Sequence, residues 1–129
     1  MGLVLVSHSA AIADGLAEFV RQVAGPEVAI VPAGGGPDGT LGTDGGRVLD
    51  ALRSVAGGAG AVVLMDLGSS VLSVRAALEE LEPAESEGIA VVDAPFVEGA
   101  IAAGVAASTG VSRDDVAAAA LEARGTAKL

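Results

Sequence analysis

The sequence contains no cysteine, tryptophan or tyrosine, and only two phenylalanines and one histidine among its 129 residues. Without cysteine there are no disulfide bonds and no thiolate chemistry. A single histidine also argues against a dedicated transition-metal cage. With two phenylalanines as its only aromatic residues, the chain has little on which a flavin or a nucleic-acid base can stack. Metal, flavin and disulfide-based functions are therefore not predicted.

Positive charge is scarce as well. Seven Lys and Arg stand against 17 Asp and Glu, which gives a formal net charge of −10. The basic residues are scattered, so no nucleic-acid surface is predicted. No apolar stretch reaches the roughly 18–20 residues needed to cross a bilayer. No basic segment precedes the first apolar run, so no signal peptide is expected. The default expectation is a cytoplasmic protein without a membrane partner.

The sequence does contain four short apolar runs, which are rich in β-branched residues. They are continuous rather than alternating, the pattern of strands that are covered on both faces. They lie at residues 3–6, 28–31, 61–65 and 89–92. Because 129 residues suit one domain, we predict a single domain over residues 1–129. Within it, residues 1–124 are expected to be ordered and residues 125–129 to form a flexible tail.

Helical patterns separate the apolar runs, at residues 10–23, 44–55, 70–81, 97–108 and 113–124. The first is expected to place five apolar residues on one face: Ile12, Leu16, Phe19, Val20 and Val23. Strands that alternate with helices pair in parallel through right-handed crossovers. The predicted fold is thus an α/β open three-layer sandwich with a four-stranded parallel sheet in flavodoxin-like order. The glycine-rich segment 32–46 is its one long loop, either functional or a flexible surface excursion.

Polar or small residues follow each predicted strand at its carboxyl end. In flavodoxin-like order the first and third strands are neighbours, so His8 and Asp66 should face each other across the crevice. A carboxylate that accepts the proton of one ring nitrogen leaves the other nitrogen free as a nucleophile. The helix start after His8 should also keep the ring neutral. The phosphate-binding residues expected around it are Ser9, Thr43, Gly68, Ser69 and Ser70.

Ordinary structural roles remain open for each of these residues. A lone histidine at a strand end is often structural, and Asp66, Ser9, Ser69 and Asp44 can all be helix caps. Other chemistries fit less well. A receiver domain needs an acidic pair after the first strand, where this chain has Ser-His-Ser. No nucleophile elbow, Walker loop or dinucleotide-binding glycine motif follows a strand. The site would suit reversible phosphorylation of histidine.

Four motifs in order carry a family resemblance over nearly the whole chain. They are Leu-Val-Ser-His-Ser at 5–9, Gly-Thr-Asp-Gly at 42–45, Met-Asp-Leu-Gly-Ser at 65–69 and Ala-Pro-Phe-Val-Glu-Gly-Ala at 94–100. With them the chain resembles the mannose-type enzyme IIA domains of the phosphoenolpyruvate phosphotransferase system. The likeness is greatest to the DhaM branch, the phosphocarrier subunits of phosphoenolpyruvate-dependent dihydroxyacetone kinases.

The resemblance implies a mechanism, a set of partners and an assembly. His8 would accept a phosphoryl group from phospho-HPr and pass it to ADP bound in DhaL, whose ATP serves the phosphorylation of dihydroxyacetone in DhaK. Asp66 would orient His8, and Thr43 and Ser69 would lie on the phosphate side. No cofactor is implied. The family forms homodimers, which suits the apolar helix at 97–108.

Two features depart from the family pattern. Ser73 stands where the family is expected to carry asparagine, so the contacts of that helix differ. The chain also lacks the HPr-like and enzyme-I-like parts that some relatives carry, so it is expected to draw phosphate from separate proteins. Two other functions remain open. One is a sugar-transporting mannose-type enzyme IIA that donates to an enzyme IIB, and the other is a non-enzymatic, dimeric anion-binding module.

Overall fold

Four parallel strands form one sheet in the order β2-β1-β3-β4 in the computed structural model, which describes residues 1–129. The strands are β1 (Gly2–Ser7), β2 (Ala29–Gly34), β3 (Ala61–Met65) and β4 (Ile89–Val91). In the register of β1 and β3, Gly2 pairs with Ala61 and Val6 with Met65. The predicted parallel sheet, with its first and third strands adjacent, is confirmed.

Helices cover both faces of this sheet, which confirms the three-layer architecture. They are α1 (Ala10–Ala24), α2 (Gly45–Val55), α3 (Gly68–Glu79), α4 (Pro83–Ser86), α5 (Phe96–Ser108) and α6 (Arg113–Glu122), followed by a 3-10 turn at Ala123–Gly125. One core lies between the sheet and α1, α5 and α6. The other lies between the sheet and α2 and α3. No helix combines the length and the apolarity that crossing a membrane would require.

Strand β1 shows why the apolar runs are continuous. Leu3 and Leu5 point into the first core, and Val4 and Val6 point into the second. All four side chains are fully buried. Successive side chains of a strand lie on opposite faces, so a strand that is covered twice needs an apolar residue at every position.

Some element details differ from the sequence-based expectation. Strand β2 continues through Pro32 to Gly34, which shortens the long loop. The four-residue helix α4 was not predicted. It begins at Pro83, and a capping box between Glu82 and Glu85 stabilises its N-terminus. Such a short helix has too few residues to show an apolar period. The flexible tail after residue 124 stays a prediction.

The apolar face of α1 is only partly buried. Leu16 and Val20 are buried, whereas Ile12, Phe19 and Val23 are 53, 52 and 42% exposed. The helix instead turns its small residues inward, because Ala13, Ala17 and Ala24 let it lie close to the sheet and to α5. Close approach therefore outweighed the burial of the largest side chains, and an apolar stripe remains on the surface.

Gly34 marks the closest approach between β2 and the start of α1. A Cβ atom at this position would lie 2.7 Å from the Ser9 carbonyl oxygen and 2.9 Å from the Ala10 Cα. Both are main-chain atoms that cannot move without displacing the helix. The absence of a side chain at Gly34 thus sets where α1 begins relative to the sheet.

We expect Gly34→Ala to lower the free energy of unfolding by about 1 to 3 kcal/mol, the usual range for overpacking. Chemical denaturation followed by circular dichroism measures this change. Gly15→Ala is the matched control, because nothing lies within 4 Å of a Cβ added there. In mid-helix that substitution should raise stability by about 0.5 to 1 kcal/mol. Equal stability of the two variants would contradict the assigned close contact.

Candidate functional site

The candidate site lies at the carboxyl edge of the two central strands. His8 follows β1 and Asp66 follows β3, and the Asp66 amide donates to the Val6 carbonyl 3.1 Å away. This pairing brings Nδ1 of His8 within 3.1 Å of Oδ1 of Asp66. The predicted contact between the two side chains is therefore present. Neighbouring parallel strands place their carboxyl ends side by side, so the contact follows from the strand order.

Five donors surround the Asp66 carboxylate. Oδ1 accepts from the Leu67 amide at 2.7 Å and from the Ser70 hydroxyl at 2.8 Å. The same oxygen faces Nδ1 of His8. Oδ2 accepts from the Ser7 hydroxyl at 2.9 Å and from the His8 amide at 3.0 Å. An ionised carboxylate offers about four lone-pair sites, so it is fully satisfied.

These contacts determine the charge of Asp66. Partial burial opposes the ionised form and acts to raise the pKa. The amide of His8 and the hydroxyl of Ser70 oppose this effect, joined by the His8 ring and the Ser7 hydroxyl. Together they outweigh burial and hold the pKa of Asp66 well below its usual range. The carboxylate is thus ionised at every pH at which the protein would work.

The ionised carboxylate in turn assigns the two nitrogens of His8. A carboxylate can only accept hydrogen bonds, so in the neutral ring Nδ1 carries the proton and Nε2 has the lone pair. The Ser69 hydroxyl lies 2.7 Å from Nε2 and is exposed. The His8 side chain is 24% exposed. Nε2, the nucleophilic nitrogen, thus lies on the solvent side of the ring, whereas Nδ1 holds the ring proton on the buried side.

The structure separates the residues that were expected to bind phosphate. Ser69 lies beside Nε2, and Gly68 begins α3 next to it. Ser70 lies on the other side of the ring, fully buried, with its hydroxyl 3.1 Å from Nδ1. Ser9 caps α1 by accepting from the Ile12 amide. The hydroxyl of Thr43 lies 2.6 Å from that of Ser73.

The C-terminal end of the glycine-rich loop is hydrogen-bonded to the site. The Gly42 amide donates to the His8 carbonyl at 2.9 Å, and Thr43 forms an isolated bridge with Gly35. Gly42 has a φ of +138°, a conformation that favours glycine. Asp44 then caps α2 by accepting from the Gly46 amide. Asp44 therefore has the capping role that was its structural alternative.

Two contributors were not among the predicted site residues. Ser7 is the last residue of an otherwise apolar strand, and a polar residue buried there is itself a signal of a partner. Ser73 was noted only as a departure from the family pattern, yet its hydroxyl anchors Thr43. His8 and Asp66 are not joined by a further carboxylate in a group that could hold a metal ion.

We expect Asp66→Asn to lower the free energy of unfolding by about 2 to 3 kcal/mol at neutral pH, because an amide cannot accept from all five donors. The folded-state pKa of Asp66 lies below its ordinary value of 3.8. Its stabilising contribution is therefore present above that value and is lost as the pH falls further. Urea denaturation of both proteins, at neutral pH and at about pH 3, should show the difference shrinking in acid. A difference that does not change with pH would contradict the assignment.

Comparison with known proteins gives consistent matches. Residues 2–117 match the family model EIIA-man, described as PTS system fructose IIA component. The chain is 40% identical over 119 residues to the PEP-dependent dihydroxyacetone kinase phosphoryl donor subunit DhaM of Providencia stuartii, covering 90% of this chain and 25% of that protein. The subunit DhaM of kinase 2 in Listeria innocua is 35% identical over 116 residues, covering 90% and 93%.

A solved structure has the same fold. The crystal structure of a protein of unknown function, EF1359, superposes with a TM-score of 0.80 at 35% identity, covering 93% of this chain and 92% of that one. The chain spans about a quarter of the length of the Providencia relative and of the Escherichia coli DhaM, which is 38% identical. Because the family model matches residues 2–117, most of the sequence, the chain belongs to the EIIA-man family of phosphotransferase-system components.

Proposed function

We propose that this chain is a phosphohistidine carrier, which accepts a phosphoryl group on Nε2 of His8 and passes it to another protein. One observation carries the proposal. An ionised carboxylate holds the proton on Nδ1, at 3.1 Å, and leaves the exposed Nε2 as the nucleophile. The Ser69 hydroxyl is the one protein group hydrogen-bonded to Nε2, and it is exposed, so an incoming phosphoryl group can reach this nitrogen.

The transfer needs no proton relay. The lone pair of Nε2 attacks phosphorus, and the bond between phosphorus and the nitrogen of the donor breaks. Positioning and charge stabilisation supply most of the catalysis in such transfers. The Ser69 hydroxyl, 2.7 Å from Nε2 at rest, turns to donate to a phosphoryl oxygen. In this proposal Gly68, at the start of α3, and Thr43, in the loop, contribute further phosphate contacts.

The surroundings of His8 favour a protein as its partner. Large apolar side chains are exposed on the segments that bear the site: Ile12, Leu41, Leu67 and Leu72. Exposed apolar groups around an open site are typical of protein docking surfaces.

The names of the relatives indicate the kind of system in which the partners would act. Relatives from Providencia, Escherichia and Listeria are named as phosphoryl donor subunits of PEP-dependent dihydroxyacetone kinases. We therefore propose phospho-HPr as the donor and ADP bound in DhaL as the acceptor, with DhaK using the resulting ATP. A cytoplasmic location stays a prediction. The second candidate is a sugar-system enzyme IIA that donates to an enzyme IIB, which the description of the family model as a fructose component favours.

Incubation with phosphoenolpyruvate, enzyme I and HPr should add one phosphoryl group to the chain. Intact-mass spectrometry measures the addition, and its lability in acid and stability in base identify a phosphohistidine. His8→Ala should remain unmodified, because the chain has no second histidine. Addition of DhaL bearing ADP should then discharge the label, whereas discharge only to an enzyme IIB would favour the sugar system.

The labelling assay separates the carrier from the alternative module. A known enzyme IIA labelled in parallel shows that the donor proteins are active. If wild type stays unmodified while that control is labelled, the carrier proposal is wrong. The alternative function, a non-enzymatic anion-binding module, would then be favoured.

We also propose that the chain is a homodimer built on α5 and its neighbour α1. Val97 and Val105 on α5 are 47 and 48% exposed. On α1, Phe19 and Val23 are exposed as well. Phe19 and Val97 line one pocket of about 530 Å³, so the two stripes are continuous. A second copy of the chain would cover this apolar surface, as homodimer interfaces usually do.

Sedimentation equilibrium should therefore report twice the chain mass of 12.4 kDa. Phe19→Asp should shift the equilibrium toward the monomer, since it buries a charge in the proposed interface. Val111→Asp, at an exposed position after α5, is the control and should leave the mass unchanged. A monomeric wild type, or a Phe19→Asp protein that dimerises normally, would refute the proposed interface.

A further inference from the structure

Only two polar side chains of this protein are fully buried, Ser7 and Ser70. They come from different elements, the end of β1 and the first turn of α3. Both hydroxyls donate to the same carboxylate, that of Asp66. Buried hydroxyls are costly unless they are paired. Because both hydroxyls pair with the Asp66 carboxylate, we infer that they have a role beyond packing.

The two serines hold the carboxylate from opposite sides. Ser7 donates to Oδ2 at 2.9 Å and Ser70 to Oδ1 at 2.8 Å. We call this pair the serine clamp. Each carboxylate oxygen thus receives one hydroxyl, and the carboxylate cannot rotate without breaking a buried hydrogen bond. Oδ1 is thereby held toward Nδ1 of His8.

Each serine makes one further contact. The Ser7 oxygen accepts from the Ser9 amide at 3.1 Å, whereas the Ser70 oxygen lies 3.1 Å from Nδ1 of His8. Since Ser70 gives its own proton to Asp66, a lone pair on its oxygen remains to accept from Nδ1. The proton on Nδ1 is therefore shared between Oδ1 and the Ser70 oxygen. This contact lies on the buried side of the ring, away from Nε2.

We propose that the serine clamp, Ser7 and Ser70, positions Asp66 so that the Nδ1 proton stays on His8 both before and after Nε2 carries a phosphoryl group. The inference rests on the carrier function proposed above and deepens it. Both serines are positioning residues, because they act through Asp66. Ser70 is thereby assigned to the buried side of the site and not to the phosphate side that the sequence suggested.

Retention of this proton makes the phosphoryl group transferable in both directions. On loading, the bond from Nε2 to phosphorus forms, the donor bond breaks, and the ring becomes cationic beside the Asp66 carboxylate. On unloading, the electrons of that bond return to Nε2 and a neutral imidazole leaves. If Asp66 took the proton instead, an imidazolate would have to leave, which is a far poorer leaving group. A carboxylate surrounded by donors is a weak base, so it does not take the proton.

The test uses the fact that His8 is the only histidine. A ¹⁵N-labelled chain therefore shows a single imidazole by NMR, and its two ring nitrogens report the tautomer directly. At about pH 8.5, where an ordinary imidazole is neutral, wild type should show the Nδ1–H tautomer. In Ser7→Ala and Ser70→Ala the fraction of the Nε2–H tautomer should rise. Ser7→Thr retains a hydroxyl and should restore the wild-type signature.

Phosphoryl transfer provides the second measurement. Loading from phospho-HPr and unloading to the acceptor should each slow about fivefold in either alanine variant, the loss expected for one hydrogen bond. Ser54→Ala is the matched control, because that hydroxyl donates to the Ala51 carbonyl in α2. It should leave tautomer and rates unchanged. The dispersion of the amide spectrum shows whether each variant is folded.

The outcomes distinguish the clamp from the carrier function. If wild type is labelled and both alanine variants keep the Nδ1–H tautomer and normal rates, the clamp is wrong while the carrier stands. Loss of stability alone, with an unchanged ring spectrum, also overturns the clamp. If wild type is never labelled, the carrier function fails, and the ring spectrum still decides whether the serines set the tautomer.

Discussion

The carboxylate of Asp66 joins the sheet, a helix and the imidazole of His8 at one point. It accepts from Ser7 at the end of β1, from Ser70 in α3 and from two main-chain amides. A charge withdrawn from water is costly unless hydrogen bonds replace its hydration. The junction of β1, β3 and α3 and the state of the histidine therefore depend on the same interaction.

The fold permits this interaction because its parts approach one another closely. A double-covered parallel sheet places the ends of β1 and β3 side by side, and Gly34 lets α1 begin against the neighbouring strand. The small residues that allow this close approach have a second consequence. A helix such as α1, which turns Ala13 and Ala17 inward, leaves larger residues on its outer face. Close packing inside thus creates apolar surface outside, where other protein chains can bind.

Much of the fold and part of the site were predictable from local patterns. The apolar runs indicated every strand, and side chains that can accept hydrogen bonds from main-chain amides marked the starts of helices, as at Ser9 and Asp44. The strand order then implied the pairing of His8 with Asp66. The strands and helices depend on the periodicity of apolar residues along the chain and on the residues that cap helices, and both can be read directly from a sequence.

The sequence by itself determined the fold class, the single histidine and the carboxylate that accompanies it. Only the tertiary structure decided which side of the ring each hydroxyl occupies. Ser69 and Ser70 are adjacent in the chain, yet one lies at Nε2 in solvent and the other at Nδ1 in the interior. Successive residues of a helix point about 100° apart. The docking of α3 against the sheet therefore separates the side that can receive phosphate from the side that holds the proton.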